Sequence, residues 1–147
     1  MNITINFIEE DDFEQLVELF QEFAEFERLP DKMTNTVEKM RREKEYFHGF
    51  VVKNENKEIL GYVTYFFAYY TWTGKSLYMD DLYIRPAYRG QGLGTMLIKK
   101  VIAYAKEQQC NKLRWQVSNW NEPAIDLYKS LGAEINEVEI NCDLILE

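Results

Sequence analysis

Between Asp81 and Gly94 the chain reads DLYIRPAYRGQGLG: an apolar strand, a Pro-containing turn, an arginine, and then Gly90, Gly92 and Gly94. A helical run begins at Leu93. Glycines at the mouth of a helix let a ligand approach the backbone closely. The free amides of the first helical turn and the positive end of the helix dipole favour an anion there. Arg89 adds a fixed positive charge that can pair with phosphate. The spacing is G-x-G-x-G. A P-loop requires G-x-x-x-x-G-K-[ST]. A dinucleotide fingerprint requires G-x-G-x-x-G and an acid at the end of the next strand. That strand, Leu113–Val117 (LRWQV), carries no acid. A glycine-rich turn without a ligand is the plain alternative, and Arg89 with its flanking context favours a phosphate ligand.

Two acids, Asp80 and Asp81, interrupt the strand before this loop, where acidic residues are depleted. Strand alternation sends neighbours to opposite faces. Tyr78, Asp80, Leu82 and Ile84 form one set, so the two acids are expected not to share a pocket face. Either can bind a cation or take a proton, and either can equally sit at a strand bulge, bound to backbone amides. The one histidine, His48, reads as a strand-end residue, which leaves no His triad or multi-His zinc site. Acid–base work then falls to carboxylates, tyrosines or water. Cys110 and Cys142 form no metal or redox motif, so no metal is expected and free thiols in a cytoplasmic protein are.

The elements that must position these residues alternate in type. Asn2–Ile8 reads as a strand. Phe13, Leu16, Val17, Phe20, Phe23 and Ala24 recur at helical spacing. Asp12 and Gln15 suggest a capping box, and Leu29-Pro30 ends the helix. Thr34–Tyr46 reads as a second, charged helix. Gly49–Lys53 and Ile59–Tyr70 read as a hairpin, followed by the turn Thr71–Lys75 and the strand Ser76–Ile84. Leu93–Glu107 is an amphipathic helix, Leu113–Val117 a strand, and Pro123–Leu131 a short helix stopped by Gly132. Glu134–Leu146 reads as a last strand or hairpin. The order β-α-α-β-β-β-α-β-α-β implies an α/β fold with a central mixed, mostly antiparallel sheet flanked by helices.

The chain has 147 residues, 46% of them hydrophobic, a size expected for one domain over 1–147. No apolar run approaches a membrane span, and the N-terminus lacks the basic and apolar regions of a secretory signal. A net charge of −8 argues against nucleic acid and suits a cationic substrate.

The run R-G-x-G-[LI]-G after -LYI-RP, together with the element order, resembles the GNAT-type N-acetyltransferases. The segments FFAYYTWTGKSLYMDDLYIRPAYRGQGLG and WNEPAIDLYKSLGA resemble, within that superfamily, the diamine (spermidine/spermine) and thialysine acetyltransferases. The resemblance implies acetyl-CoA as cosubstrate, its pyrophosphate wrapped by Arg89, Gly90, Gln91, Gly92, Leu93 and Gly94, with Thr95 beside them. It implies backbone pairing of Leu82, Tyr83 and Ile84 with the pantetheine arm, and a further contact from Asn121, which also reads as a helix cap. It places a thiolate-protonating tyrosine at Tyr128 and a water-mediated base at Asp80, where relatives usually carry Glu. Glu27, Tyr70, Trp72, Asp80 and Asp81 are the candidate acceptor-site residues, with Glu25 and Tyr69 nearby in sequence. An acid matches Tyr70 in the polyamine enzymes, so one anionic anchor is missing. The implied reaction moves acetyl to a primary amine of a small cationic molecule (diamine, polyamine or lysine-like) by direct attack in a ternary complex. The alternatives are acetylation of a protein or amino-acid amine, or a CoA-binding module without turnover. The resemblance also implies a homodimer.

Overall fold

The structure, a computed structural model, describes residues 2–146. It divides into one compact unit ending at Gln116 and another beginning at Val117.

The first unit holds a five-stranded sheet in sequence order: β1 (Ile3–Phe7), β2 (His48–Asn54), β3 (Ile59–Tyr70), β4 (Gly74–Ile84) and β5 (Leu113–Trp115). All pairs are antiparallel except β4 with β5. Helix α1 (Phe13–Phe26) and the short α2 (Val37–Arg42) come before β2, and α3 (Leu93–Glu107) follows β4. The apolar stripe of α1 buries Phe13, Leu16 and Leu19 in a cluster with Met40, Val51, Ile59, Tyr62 and Tyr83. On α3, Leu93, Leu97, Ile98, Val101 and Ala105 are buried, and Tyr104 meets Phe50, Tyr65 and Phe67. Cross-strand partners share a face, so the sheet separates the Tyr62 side, under α1, from the Tyr65 side, under α3.

Two local expectations shift. Asp12 does not cap α1. Its carboxylate accepts from the Glu9 N–H at 2.8 Å and pairs with Lys53 at 2.6 Å, while Gln15 Oε1 accepts from the Ile59 N–H. The charged stretch Thr34–Tyr46 forms only the short α2, capped by Thr36, and then a 3-10 turn over Lys44–Tyr46. Only Met40 of α2 is buried, too narrow an apolar stripe to hold a longer helix.

The second unit contains α4 (Glu122–Ser130). Asn121 caps it, its side chain accepting from the Ala124 N–H, and the left-handed Gly132 (φ 90°) follows its end. The expected last strand or hairpin over Glu134–Leu146 is corrected: no strand is present there among the described residues. The Asn136 side chain accepts from the Val138 N–H, a local bond that competes with strand pairing. Val138, Ile140, Leu144 and Leu146 are at least 83% exposed, so the alternation there has no surface to bury against.

Candidate active site

The cradle before α3 has the features its sequence suggested. Gly90 (φ 80°) and Gly92 (φ 82°) adopt the left-handed conformation that L side chains rarely take, and a Cβ on either would meet nothing within 4 Å. Gly92 is the N-cap of α3, with no side-chain cap and no acid in the first turn. No side chain caps the amides of that turn, which stand at the positive end of the dipole. Gln91 is exposed and Thr95 half-buried, while the Leu93 side chain belongs to the core. Arg89 is anchored: its Nε donates to the Ile84 carbonyl at 2.9 Å, and its guanidinium lies 4.7 Å from the Phe26 ring and 5.3 Å from the Tyr83 ring. Open space, uncapped amides and a fixed guanidinium fit a pyrophosphate.

Strand β4 leads into this cradle. Its pairing with β5 covers Leu77 to Met79 and goes no further. Among the described residues, Leu82, Tyr83 and Ile84 pair with β3 alone, which leaves one backbone edge for an added strand-like ligand. The Tyr83 side chain is not part of that edge. It is buried, and its hydroxyl donates to Glu22, which also pairs with Arg85 at 3.1 Å.

The register between β3 and β4 overturns the expected separation of the two acids. Tyr62 faces Tyr83, Val63 faces Leu82, Tyr65 faces Met79 and Phe66 faces Tyr78. Tyr62 and Phe66 are four residues apart, whereas Tyr83 and Tyr78 are five apart. One extra residue therefore sits in β4, opposite Thr64, as a β-bulge. The Asp81 N–H donates to Thr64 Oγ1 at 3.1 Å. Alternation breaks at this point, and Asp80 and Asp81 line the same cavity.

That cavity is about 490 Å³. Aromatic residues Phe20, Phe23, Tyr46, Phe47, Tyr65 and Phe66 wall it, and Glu27 joins the two aspartates as its third acid. Lys32, Asn35 and Met33, from the connection between α1 and α2, also line it, as does His48, whose ring stacks near Tyr65. A cage of aromatic faces and carboxylates suits an ammonium group. Asp81 is half-buried, and the Tyr62 hydroxyl donates to its Oδ2 at 3.4 Å. Burial raises the Asp81 carboxyl to about 7. Asp80 and, more weakly, Glu27 push the same way, and Tyr62 opposes them. Asp80 is more open to solvent, and burial by the surrounding walls raises its carboxyl.

Tyr70 and Trp72 stand apart from this lining. Tyr70 lies between Lys112 and Arg114, at 4.5 and 4.4 Å from its ring centroid. Trp72, in the β3–β4 turn, is 97% exposed. Sequence reasoning missed Lys32, Asn35, Tyr46 and His48. Only His48 left a signal, through the hairpin register that pairs it with Tyr65. In the second unit, Tyr128 is buried on α4, about two turns past the cap residue Asn121.

The chain is similar to known proteins. The Acetyltransferase (GNAT) family matches residues 13–133. A thialysine N-epsilon-acetyltransferase of Sus scrofa is 36% identical, over 94% of this chain and 88% of that one. The spermidine/spermine N(1)-acetyltransferase-like protein 1 of Homo sapiens is 32% identical, over 88% of this chain and 20% of that protein. An aminoglycoside acetyltransferase structure from an uncultured soil metagenomic sample superposes with a TM-score of 0.79 at 20% identity, covering 99% of this chain and 100% of that one. At that identity the likeness is one of fold.

Proposed function

The chain belongs to the GNAT acetyltransferase family and is an acetyl-CoA-dependent N-acetyltransferase; we propose that its acceptor is a primary amine of a small cationic molecule, acetylated by direct attack in a ternary complex. The observation that carries this reading is the cavity into which the β4 bulge brings both Asp80 and Asp81. Acetyl-CoA supplies a thioester whose acetyl carbon accepts the amine. Gly90, Gly92 and the first turn of α3 hold its pyrophosphate, with Arg89 fixed beside them. The β4 edge at Leu82 to Ile84 aligns its pantetheine arm. Asp80, at the open side of the cavity, attracts the ammonium. A lysine-like amine is only about 0.1% neutral near pH 7.4, a deficit of about 4 kcal/mol, so a carboxylate that draws off the proton has work to do. Tyr128 donates a proton to the leaving thiolate, and Asn121 contacts the cofactor arm.

Among small amines, the reading favours a lysine-like amino acid or diamine over spermine. Lys32 lines the same cavity as the three acids, so a substrate with a distal ammonium and a carboxylate finds both charges complemented. The relative from Sus scrofa is named for thialysine, a compound of that type. Residues 1–147 act as one domain in this reading. A cytoplasmic homodimer completes it, supported by the exposed Phe66, Phe67 and Tyr69 at the end of β3. Thiol release from acetyl-CoA across lysine analogues, short diamines, spermine and aminoglycosides tests the substrate class. Lysine analogues and diamines should turn over fastest. A clear preference for spermine, or activity on protein N-termini alone, would overturn the assignment.

A further inference from the structure

The bulge gives the cavity one more carboxylate than ammonium binding requires. We propose that Asp81 is the proton acceptor of the reaction, fixed by Tyr62 and Thr64, while Asp80 holds the ammonium at the solvent side. This rests on the acetyl-transfer reading of the cavity.

The two acids differ in how they are held. Asp81 is gripped from two sides, its own N–H bonded to Thr64 Oγ1 and its Oδ2 accepting from the Tyr62 hydroxyl. Tyr62 is fully buried in the cluster under α1 and cannot swing away. Burial and the Asp81 carboxylate keep its phenol well above the ordinary value, so it remains a donor. Asp80 is exposed. Desolvation favours the protonated form of a carboxylate and raises both acids, but Asp81 is the more enclosed of the two and the one that Tyr62 and Thr64 hold in place. The other charged and titratable groups lining the cavity are Glu27 at the end of α1, Lys32 and Tyr46 from the following connection, His48 at the start of β2, and Tyr65 on β3. Of these acids, Asp80 and Glu27 both favour the protonated form of Asp81.

The step balances. The Asp81 carboxylate takes one proton from R–NH3+, giving a carboxylic acid and a neutral amine. The amine lone pair forms the N–C bond at the thioester carbon, and the C–S pair departs on sulfur. A second amine proton is lost as the amide forms, and the thiolate takes up a proton. Asp81 then returns its proton to water, so the net products are the acetamide, the thiol and one proton.

The test is the pH profile of kcat/KM for a lysine-like amine in wild type, Asp81→Asn, Asp80→Asn and Tyr62→Phe. A 13C titration of the Asp81 carboxyl in the free enzyme accompanies it. Asp81→Asn should lose the acid limb and about 10²–10⁴-fold in rate. Asp80→Asn removes a neighbouring charge and should move the limb to lower pH. Tyr62→Phe removes the bond that stabilises the carboxylate and should move it to higher pH. The 13C titration should shift in the same two directions. A limb unmoved by both substitutions, or one lost in Asp80→Asn and kept in Asp81→Asn, overturns the proposal. Should Asp81→Asn fail to fold, the opposed shifts of the other two variants still decide it. If wild type releases no thiol with any amine, the acetyl-transfer reading falls and takes the proposal with it. If turnover is normal and the limb does not move, only the proposal falls.

Discussion

Asp80 and Asp81 are consecutive in β4, yet both line one cavity, because together they stand opposite the single residue Thr64. On both sides of this offset β3 lies close to its neighbours. Gly61 faces Ile84, and a Cβ at Gly61 would lie 2.6 Å from the Tyr83 carbonyl oxygen. A Cβ at Gly49 would lie 2.1 Å from that of Val63. Backbone cannot yield to such contacts cheaply. Gly49→Ala should therefore cost about 3 kcal/mol or more of stability. Urea unfolding checks this, and a loss below about 1 kcal/mol would mean that the close approach of β2 and β3 is not required.

The cradle makes a separate prediction. Gly92→Ala and Gly92→Asp share the strain of a side chain at φ 82°, about 1–2 kcal/mol. Only the aspartate also sets a negative charge at the start of α3. Calorimetry should give at least about 10-fold weaker acetyl-CoA binding for Gly92→Asp than for Gly92→Ala, equivalent to about 1.4 kcal/mol. Equal affinities in the two variants would remove the pyrophosphate from this loop.

Much of this arrangement is legible in the chain. The strand Ile59–Tyr70, a β-branched and aromatic run bounded by turns, and the helix Leu93–Glu107, with its period-3.6 apolar face, occupy those bounds in the structure. Glycine spacing ahead of Leu93 marks the cradle because left-handed backbone is a local property. The bulge is not legible in the same way. Alternation within β4 alone assigns Asp80 and Asp81 to opposite faces, and only the register against β3 shows the extra residue. The cavity lining from Lys32 and Asn35 comes from an aperiodic connection, where no repeat reports which way a side chain turns. The segment Glu134–Leu146 alternates like a strand, but alternation specifies a pleat and not the partner that a strand needs.

Tyr128→Phe isolates the thiolate donor. The substitution keeps the ring of a buried residue and removes only its hydroxyl. Steady-state kinetics should show kcat falling about 10²–10⁴-fold with acetyl-CoA affinity little changed. Near-normal kcat would return Tyr128 to a packing role.

Asp81 also carries a stability signature. Its carboxyl lies near 7 in the folded chain against an ordinary value of 3.8, so the folded state binds this proton more tightly than the unfolded chain. Stability linked to it is present at low pH and lost as pH rises through about 7. Asp81→Asn, which cannot ionise, should be more stable than wild type at pH 8, and that advantage should shrink toward pH 5. Urea midpoints at the two pH values measure it. An advantage independent of pH would place the Asp81 carboxyl in its ordinary range.

In the proposed function the amine enters the cavity floored by the β4 bulge and not the aromatic turn at Tyr70 and Trp72. Amide chemical shifts recorded while a lysine-like amine is titrated into the protein test this most directly. The largest perturbations should fall on His48, Thr64, Asp80 and Asp81. Perturbations centred on Tyr70, Trp72 and Lys112, with those four residues unmoved, would contradict it.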